Sequence, residues 1–352
     1  MKEVTILVPI YKVEPYLRTC FDSLLQQTSQ NFTVLAVNDG SPDHSQAIID
    51  AYEAQYPDKI HGIRKENGGY GSVLQLAVQK MDTPYFLVCD PDDSLAENAV
   101  EKLLAMAKMA DSDITIGART LLYEDSSKRT YDPCFNKEFG TLKPDTVYRP
   151  REKEAEILWF INPSPHAKLY KTKPARSISF PEHVGYTDNM LFYLSLLRAQ
   201  KVVYTDQSLA NYLINRAGNT MTDIRAASMH AQILVFKSIL EQAEAIHPLP
   251  DIFWYRMFET FRYLLYQLPF LDTDDAGFTA AAADLETFLR MLLTQGKAIR
   301  HLDRIYAKGG PAVKINDMAL LRKSLEPLAY KRLVHTMRQQ FEKKEKRGGE
   351  WK

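Results

Sequence analysis

The stretch Tyr85-Phe86-Leu87-Val88-Cys89-Asp90-Pro91-Asp92-Asp93-Ser94 indicates both the fold and the chemistry of this chain. A short apolar run, typical of a buried strand, is followed by three carboxylates within four residues. Their mutual repulsion is costly unless a cation or hydrogen-bond donors offset it. Because Mg²⁺ and Mn²⁺ prefer oxygen ligands, the cluster predicts a divalent-cation site. The alternative is that one acid, or Ser94, caps a following helix, which accounts for one acid but not for three.

Strand-like and helix-like patterns alternate on both sides of this stretch. The predicted strands are residues 4–8, 32–37, 60–63, 85–89 and 113–117, and the predicted helices are residues 16–27, 47–56, 73–78 and 96–109. Alternation of this kind, with nearly continuous apolar strands, predicts a parallel sheet covered on both faces. Ligands of such sheets bind beyond the carboxyl ends of the strands, so functional residues are expected at those ends.

The pattern changes twice along the rest of the chain. Residues 121–150 are polar and contain three prolines, which favours an irregular loop. Residues 151–222 return to mixed α/β character, and the pattern from 223 onward is almost wholly helical. We therefore expect an α/β domain over 1–222, a helical domain over 223–345 and a disordered tail over 346–352.

Composition excludes several classes of protein. The 352 residues contain 44 Lys and Arg against 44 Asp and Glu, and this zero net charge argues against a general nucleic-acid binder. The three cysteines, Cys20, Cys89 and Cys134, form neither a metal motif nor a disulfide framework, which favours a reducing compartment. No targeting segment and no apolar run of spanning length is present. We expect a cytoplasmic protein, with peripheral contact at the inner face of the membrane as the alternative.

The other strand ends narrow the choice of ligand. The first strand ends in Pro9-Ile10-Tyr11-Lys12 without a glycine-rich turn, which disfavours a dinucleotide-binding Rossmann domain. The second ends in Asn38-Asp39-Gly40-Ser41, which is either a turn or a carboxylate that accepts a hydrogen bond from a base or sugar. Gly68-Gly69-Tyr70-Gly71-Ser72 is either a flexible turn or a loop shaped around a ligand.

These motifs together resemble the family-2 glycosyltransferases, which have the GT-A fold. The matching stretches are residues 8–12 with Glu14, Tyr16-Leu17, 21–28, 37–41, 67–69 and the Asp-x-Asp pattern at 90–92. The likeness covers about residues 1–222. It implies an α/β fold of the GT-A type, with a mostly parallel sheet flanked by helices and followed by the all-helical domain.

The resemblance assigns roles to individual residues. Residues implied to bind the nucleotide sugar are Pro9, Tyr11, Glu14, Asp39, Asn67, Gly69, Asp90, Lys168 and Arg216. Within that set, Asp39 would contact uracil and Asp90 would lie near the ribose. Asp92 would ligate Mn²⁺ or Mg²⁺ at the diphosphate, with Asp90 and Asp93 as further metal candidates.

The segment 180–192 resembles the family stretch that carries the catalytic base. Thr187 stands where the family usually has a first acid, and Asp188 matches the second acid, which is the base. The alternative for Asp188 is an acid that caps the helix of residues 189–199. Glu182 and His183 are fallback candidates for the base.

Three further residues carry open alternatives. Lys168 either meets a phosphate or the acceptor side, or is a solvated lysine. His166 is more often a structural histidine than a ligand. Arg216, in a segment that continues through residues 219–222 and resembles the family's closing segment, either clamps the diphosphate with its planar fork or is an exposed loop residue.

The resemblance implies an inverting transfer of a hexose or N-acetylhexosamine from a UDP-sugar to a glycan or polyprenyl-linked saccharide. The product would belong to a capsule, an exopolysaccharide or a cell wall. The alternatives are a nucleotidyltransferase, which would need a glycine-rich basic loop after the first strand, and a non-catalytic sugar-nucleotide-binding scaffold.

The helical domain has two features of its own. The aromatic stretch 252–266 predicts the core of a helical bundle, with a homodimer interface or a wall of the acceptor site as alternatives. Residues 328–347 have the pattern of a basic amphipathic helix, which is either a peripheral membrane contact or a solvated helix.

Overall fold

The computed structural model describes residues 2–214, 216, 226–246, 248–267 and 275–306. The first half of the α/β region alternates strands and helices. In chain order these are β1 (Val4–Ile10), α1 (Glu14–Leu25), β2 (Phe32–Asp39), α2 (Ser45–Gln55), β3 (Ile60–Lys65), α3 (Gly69–Lys80), β4 (Tyr85–Val88), β5 (Ser94–Leu95) and α4 (Ala99–Ala110). Every predicted strand and helix in this region is present, with slightly longer bounds for most of them.

The second half combines two long strands, β6 and β10, with three short ones. It consists of β6 (Ile114–Tyr123), β7 (Arg129–Asp132), β8 (Thr146–Tyr148), β9 (Lys168–Lys171), α5 (Thr172–Ala175), α6 (Asp188–Arg198) and β10 (Val202–Ile214), with 3-10 helices at Lys137–Phe139 and Lys153–Phe160.

The described strands form one ten-stranded sheet in the order β3-β2-β1-β4-β9-β6-β10-β5, with β7 paired to β6 and β8 to β10. Strands β3, β2, β1 and β4 are mutually parallel, and β9 joins β4 to β6 in the antiparallel sense. The expected α/β class, a central sheet flanked by helices and followed by helices, is confirmed.

Strand β1 positions the candidate site. All seven of its residues are buried, as expected of an interior strand in a parallel sheet. Val4 pairs with Phe32 of β2 and with Tyr85 of β4, so the three strands run in near register. Their carboxyl ends consequently lie at one edge of the sheet, where Tyr11, Asp39 and the acidic stretch follow.

Residues 121–150 depart from the predicted loop. The segment contains the antiparallel hairpin of β6 and β7 and the edge strand β8. Tyr131 is half exposed, and the part of β6 that lies in this segment is only partly buried. These strands therefore lack the apolar pattern from which a strand is recognised in a sequence. Backbone pairing and the ion pair from Arg119 to Asp132 stabilise the hairpin instead.

The chain divides into two compact units. The first comprises residues 1–219 and 238–249, and the second comprises residues 220–237 and 250–352. The described helices that follow β10 are α7 (Ala226–Ala243), α8 (Asp251–Gln267), α9 (Asp275–Leu293) and α10 (Gly296–Tyr306). Most of the aromatic stretch on α8 lies in the core of the second unit, where Phe261 packs edge-on against Phe288.

None of the described helices combines the length and the apolar character that a membrane crossing requires. The segment 219–222, the basic stretch 328–347 and the predicted tail 346–352 lie outside the described residues.

Close backbone contact fixes the loop of residues 181–187 against the start of α3. The N–H of His183 donates to the carbonyl oxygen of Gly68 at 2.5 Å. A Cβ on Gly71 would lie 2.1 Å from the carbonyl oxygen of Pro181, a separation that side chains do not tolerate. Gly69, with φ of +78°, takes the left-handed conformation that glycine adopts readily. The loop of residues 181–187 thus packs closely against the glycine-rich stretch.

Replacing Gly71 with Ala should destabilise the protein by about 1–3 kcal/mol, because the added methyl group overlaps the Pro181 carbonyl and displaces the loop. Denaturant unfolding measures this loss. Gly185→Ala on the same loop is the matched control, since its added Cβ has no atom within 4 Å. Equal stabilities of the two variants would contradict the proposed close fit.

Candidate active site

The three acids that follow β4 occupy a tight turn closed by the Asp93 N–H, which donates to the carbonyl oxygen of Asp90 at 3.0 Å. Each carboxylate has a different partner. Asp90 accepts a hydrogen bond from Tyr70, and Asp92 forms an ion pair with Arg216. Asp93 accepts hydrogen bonds from His166 and from the backbone N–H of Leu213. The repulsion expected from the sequence is therefore offset one carboxylate at a time.

Asp90 is held by a tyrosine from α3. The Tyr70 hydroxyl donates to Oδ1 of Asp90 at 2.9 Å. Burial, followed by the charges of Asp93 and Asp92, raises the pKa of Asp90 well above its usual range. The structure gives Oδ2 of Asp90 no hydrogen bond from the residues it describes. That oxygen is available to a cation or to a ligand hydroxyl.

Asp92 forms an ion pair with Arg216, whose Nε donates to Oδ2 of the carboxylate. The Arg216 guanidinium also lies 5.5 Å from the ring centroid of Tyr16 on α1, in the range of a cation–π contact. A cavity of about 490 Å³ opens beside Asp92 and is bordered by Tyr16 and the β6–β7 hairpin. The two side chains expected to act on the diphosphate are thus already in contact.

Asp93 faces the protein interior. Its Oδ1 accepts the N–H of Leu213 at 2.8 Å, and its Oδ2 contacts Nε2 of His166 at 2.7 Å. Asp90, Asp93 and His166 each offer a ligand atom within 4.8 Å of the others, so by composition they resemble a metal site.

Arg119 decides the role of His166. Nη1 of Arg119 lies 3.0 Å from Nδ1 of His166, and a guanidinium can only donate, so Nδ1 accepts. Burial, followed by the charges of Arg119 and Lys168, lowers the pKa of His166 well below its usual range, so the ring is neutral. Its hydrogen is then on Nε2 and points at Asp93. Nε2 therefore has no lone pair for a metal, and Asp90 and Asp92 remain as the candidate ligands.

The chemistry of those two carboxylates suits a divalent cation, although Asp92 is not part of the cluster of Asp90, Asp93 and His166. Each has one oxygen outside the hydrogen bonds described above, and carboxylate pairs are common ligands of Mg²⁺ and Mn²⁺. A cation there would relieve the repulsion that raises the pKa of Asp90. Asp93, an auxiliary candidate from the sequence, is instead engaged with His166 and Leu213.

Asp39 organises the turn before α3. Its carboxylate is almost fully buried and accepts hydrogen bonds from Lys65, from the amide of Asn67 and from the backbone N–H groups of Gly68 and Gly69, at 2.6–3.2 Å. A carboxylate offers about four acceptor sites, and these donors use them. Asp39, Asn67 and Gly69 are thus brought together, and a uracil N–H would reach Asp39 by replacing one of these donors.

The β1–α1 connection presents one exposed ring. Tyr11 is 43% exposed, while Pro9 is buried within β1. Glu14 begins α1, and its carboxylate accepts the N–H of His44 at 2.9 Å before α2. Tyr11 is therefore the residue of this predicted trio whose side chain faces solvent, and Glu14 connects two loops of the sheet edge.

Asp43 is a neighbour that the sequence did not single out. Burial acts to raise its pKa, but hydrogen bonds from Ser41, Ser45 and the Glu14 backbone outweigh burial and lower it to about 2. The carboxylate stays ionised and holds the two loops together. Its place in a common turn sequence, Ser-Pro-Asp, gives no sign of this role.

Asp188 begins α6 at the end of the loop seated on Gly71. Burial raises its pKa to about 6, against the opposing effects of the Asn189 backbone N–H and the Lys168 charge. The charge of Asp188 in turn contributes to the raised pKa values of Asp90 and Tyr70. Asp188 and the acidic turn therefore share one electrostatic environment.

Lys168 lies inside the protein beside this environment. It is fully buried, its Nζ donates to the carbonyl oxygen of Ser164 at 2.6 Å, and it lies 5.6 Å from the ring centroid of Phe192. Burial lowers the pKa of Lys168 to about 8. The alternative of a solvated lysine is therefore wrong, while contact with a phosphate or with the acceptor side stays a prediction. The charge of Lys168 acts on Asp188 through the protein.

Thr187 occupies the position of the missing first acid. It is fully buried, and its hydroxyl oxygen has no hydrogen-bond partner among the described residues. Its methyl carbon would lie 3.1 Å from a Cβ on Gly71, so Thr187 packs onto the glycine-rich stretch. The fallback bases Glu182 and His183 on the same loop are exposed.

Known proteins of similar sequence include glycosyltransferases. An uncharacterized glycosyltransferase, EpsJ of Bacillus subtilis, is 30% identical over 227 residues, which cover 63% of each protein. Glycosyltransferase GlyA of Streptococcus pneumoniae is 28% identical over 61% of this chain and 31% of the relative. The chain thus matches less than two thirds of the length of either protein.

Solved structures show the same fold. The crystal structure of residues 1–349 of TarS from S. aureus, in complex with UDP, has a TM-score of 0.66 at 16% identity and covers 92% of this chain and 90% of that one. A mannosyltransferase from Pyrobaculum calidifontis, in complex with GDP-Man and Mn²⁺, has a TM-score of 0.52 at 14% identity and covers 87% and 88%.

The sequence of the sheet region also matches a family model. The model described as glycosyl transferase family 2 matches residues 5–197, more than half of the chain. The chain belongs to glycosyltransferase family 2.

Proposed function

We propose that this chain transfers a hexose or N-acetylhexosamine from a UDP-sugar to a hydroxyl group of a glycan or lipid-linked acceptor, with inversion at the anomeric carbon. The observation that carries the proposal is the arrangement at one sheet edge. Asp90 and Asp92 each offer an oxygen, Arg216 is adjacent, and Asp188 has a pKa raised to about 6 in the same electrostatic environment. Donor binding and proton removal are thereby assigned to separate acids.

The nucleotide would bind along the carboxyl ends of β1 and β2. Tyr11 supplies an exposed ring for the base, and the turn of Asn67 to Gly69, held by Asp39, supplies polar groups beside it. UDP in the TarS complex, on a similar fold, supports a uridine nucleotide. The ribose would then lie near Asp90.

Asp90 and Asp92 would hold Mn²⁺ or Mg²⁺. When bound, the cation supplies a Lewis acid that stabilises the negative charge of the departing diphosphate. Arg216 would exchange Asp92 for phosphate oxygens, for which its planar guanidinium is well suited. The mannosyltransferase complex with GDP-Man and Mn²⁺ supports a metal at a site of this fold.

Asp188 would remove the proton from the acceptor hydroxyl as its oxygen attacks the anomeric carbon, opposite the diphosphate. One attack of this kind inverts the configuration, so an α-linked donor gives a β-glycoside. Lys168 favours the ionised form of Asp188, while burial keeps the pKa near neutral pH, where a base accepts protons efficiently.

The proposed class of acceptor is supported by the names of two relatives. A teichoic acid poly(glycerol phosphate) polymerase of Staphylococcus epidermidis is 38% identical over 101 residues, which cover 28% of this chain and 14% of the relative. The minor teichoic acid biosynthesis protein GgaB of Bacillus subtilis is 30% identical over 143 residues, which cover 40% of this chain and 16% of the relative. These names support a cell-wall, capsule or exopolysaccharide glycan. The helical region 223–345 is proposed to contact the acceptor, the membrane or a second copy of the chain.

Asp188→Asn should lower transfer by about 100- to 10,000-fold, because the amide cannot accept the proton of the hydroxyl. Donor affinity, measured by titration with UDP-sugar, should stay within about twofold, since Asp188 is assigned to the acceptor side. Glu182→Gln, on the exposed part of the same loop, is the control and should retain activity. Near-normal turnover by the Asn variant would remove Asp188 from the role of base.

Asp92→Ala should abolish the extra stabilisation that Mn²⁺ adds to bound UDP, because one of two metal ligands is lost. The measurement is the shift in melting temperature with UDP alone and with UDP plus Mn²⁺, since a ligand stabilises the state that it binds. Asp125→Ala, an exposed acid on the β6–β7 hairpin, is the control. An unchanged Mn²⁺ increment in the Asp92 variant would contradict the metal assignment.

The rate of transfer should fall as the pH drops through about 6, the pKa of Asp188, because the protonated carboxyl cannot act as a base. Lys168→Met removes a charge that lowers this pKa, so the acidic limb of the pH–rate profile should move upward by about half a unit. Lys171→Met, at a lysine paired with Asp111 and Asp113, is the control. A limb that stays in place, or moves downward, argues against Lys168 as the partner of Asp188.

A further inference from the structure

Four buried or half-buried side chains form a continuous chain of hydrogen bonds behind the acidic turn. Asp93 accepts from His166, and His166 accepts from Arg119. Arg119 in turn donates through Nε and Nη2 to Oδ2 of Asp132, both at 2.8 Å. We call Asp93, His166, Arg119 and Asp132 the buried relay.

Tyr212 and Ser164 fix the middle of the buried relay. The ring of Tyr212 lies 4.3 Å from the ring of His166, and its centroid lies 4.9 Å from Cζ of Arg119. Nη1 of Arg119 also donates to Oγ of Ser164 at 2.7 Å. Tyr212 thus packs beside both groups and Ser164 holds the guanidinium, so Arg119 stays placed to donate to Nδ1 and the hydrogen of His166 stays on Nε2.

The far end of the buried relay reaches the Arg216 segment. Oδ1 of Asp93 accepts the backbone N–H of Leu213, three residues before Arg216. Asp93 also directly follows Asp92 in the sequence. The Asp93–Leu213 hydrogen bond therefore brings together the two short segments whose side chains form the Asp92–Arg216 ion pair.

We propose that His166 is a positioning residue that, through Asp93 and the backbone of Leu213, places Arg216 beside Asp92 and hence beside the donor diphosphate. The inference rests on the proposed function, because it assigns Arg216 to the diphosphate. It extends that function by giving the histidine, Arg119 and Asp132 a part in donor use although none of them touches the donor.

Two amide variants separate the two ends of the imidazole. In His166→Asn the side-chain oxygen accepts from Arg119 but no group reaches Asp93, whereas in His166→Gln the longer amide places a donor near the position of Nε2. The Asn variant should lower kcat/KM for the UDP-sugar by about tenfold, a typical cost of losing a supporting partner. The Gln variant should recover most of that loss.

Repeating both variants in the Arg216→Ala background tests whether the effect passes through Arg216. With the guanidinium removed, His166→Asn should change kcat/KM by less than about twofold, because coupled residues are not additive. A tenfold loss in both backgrounds would overturn the proposal, since His166 would then support the fold in general. A Gln variant as impaired as the Asn variant would also overturn it.

Asp132→Asn provides a second variant should His166→Asn fail to fold, as Asp132 lies at the partly exposed end of the buried relay. Asp132→Asn should lower kcat/KM by less than His166→Asn does, and this loss should also vanish in the Arg216→Ala background. An equal loss with and without Arg216 overturns the proposal. If the unmutated chain binds UDP with Mn²⁺ but transfers no sugar tested, the same comparison is made on UDP affinity. Absence of UDP binding by the unmutated chain overturns both the function and the inference.

Discussion

Electrostatic repulsion among three carboxylates held within four residues is the constraint around which the candidate active site is built. The protein offsets this repulsion with a chemically different partner for each acid. Asp90 accepts from a neutral hydroxyl group, Asp92 pairs with a guanidinium, and Asp93 accepts from a neutral imidazole and a backbone N–H. Asp93 is turned inward and its neighbours keep oxygens for a ligand. Asp93 is thus a structural anchor of the turn, whereas Asp90 and Asp92 are the two acids proposed to bind a ligand.

The glycine-rich turn before α3 connects the separate parts of this site. Its backbone N–H groups bind Asp39, its tyrosine binds Asp90, and Gly71 receives the loop that ends at Asp188. The proposed nucleotide, cation and acceptor sites therefore all contact one short stretch of backbone. A stretch with larger residues at these glycines would separate the acids that the proposed reaction needs together.

Much of the fold follows from local sequence, because interior parallel strands such as β1 are mostly apolar and α1 has clear helical spacing. The antiparallel additions β7 and β8 are short, polar and near an edge, so no periodicity marks them. The acids of the site were recognisable by their position after strands. Their partners were not, since Tyr70 and Arg216 lie 20 and 124 residues away from the acids that they bind.

The position of β9 in the sheet has a consequence for the biosynthesis of the chain. Lys168–Lys171 pairs with β4 on one side and β6 on the other, although both of those strands precede it by more than 40 residues. While the ribosome is still making residues 124–167, the edges of β4 and β6 that later pair with β9 are unpaired, and so is the edge of β6 that later pairs with β10. Such edges invite pairing with other chains. The last two strands of the domain therefore act as a closure, and chaperone protection matters most before they emerge.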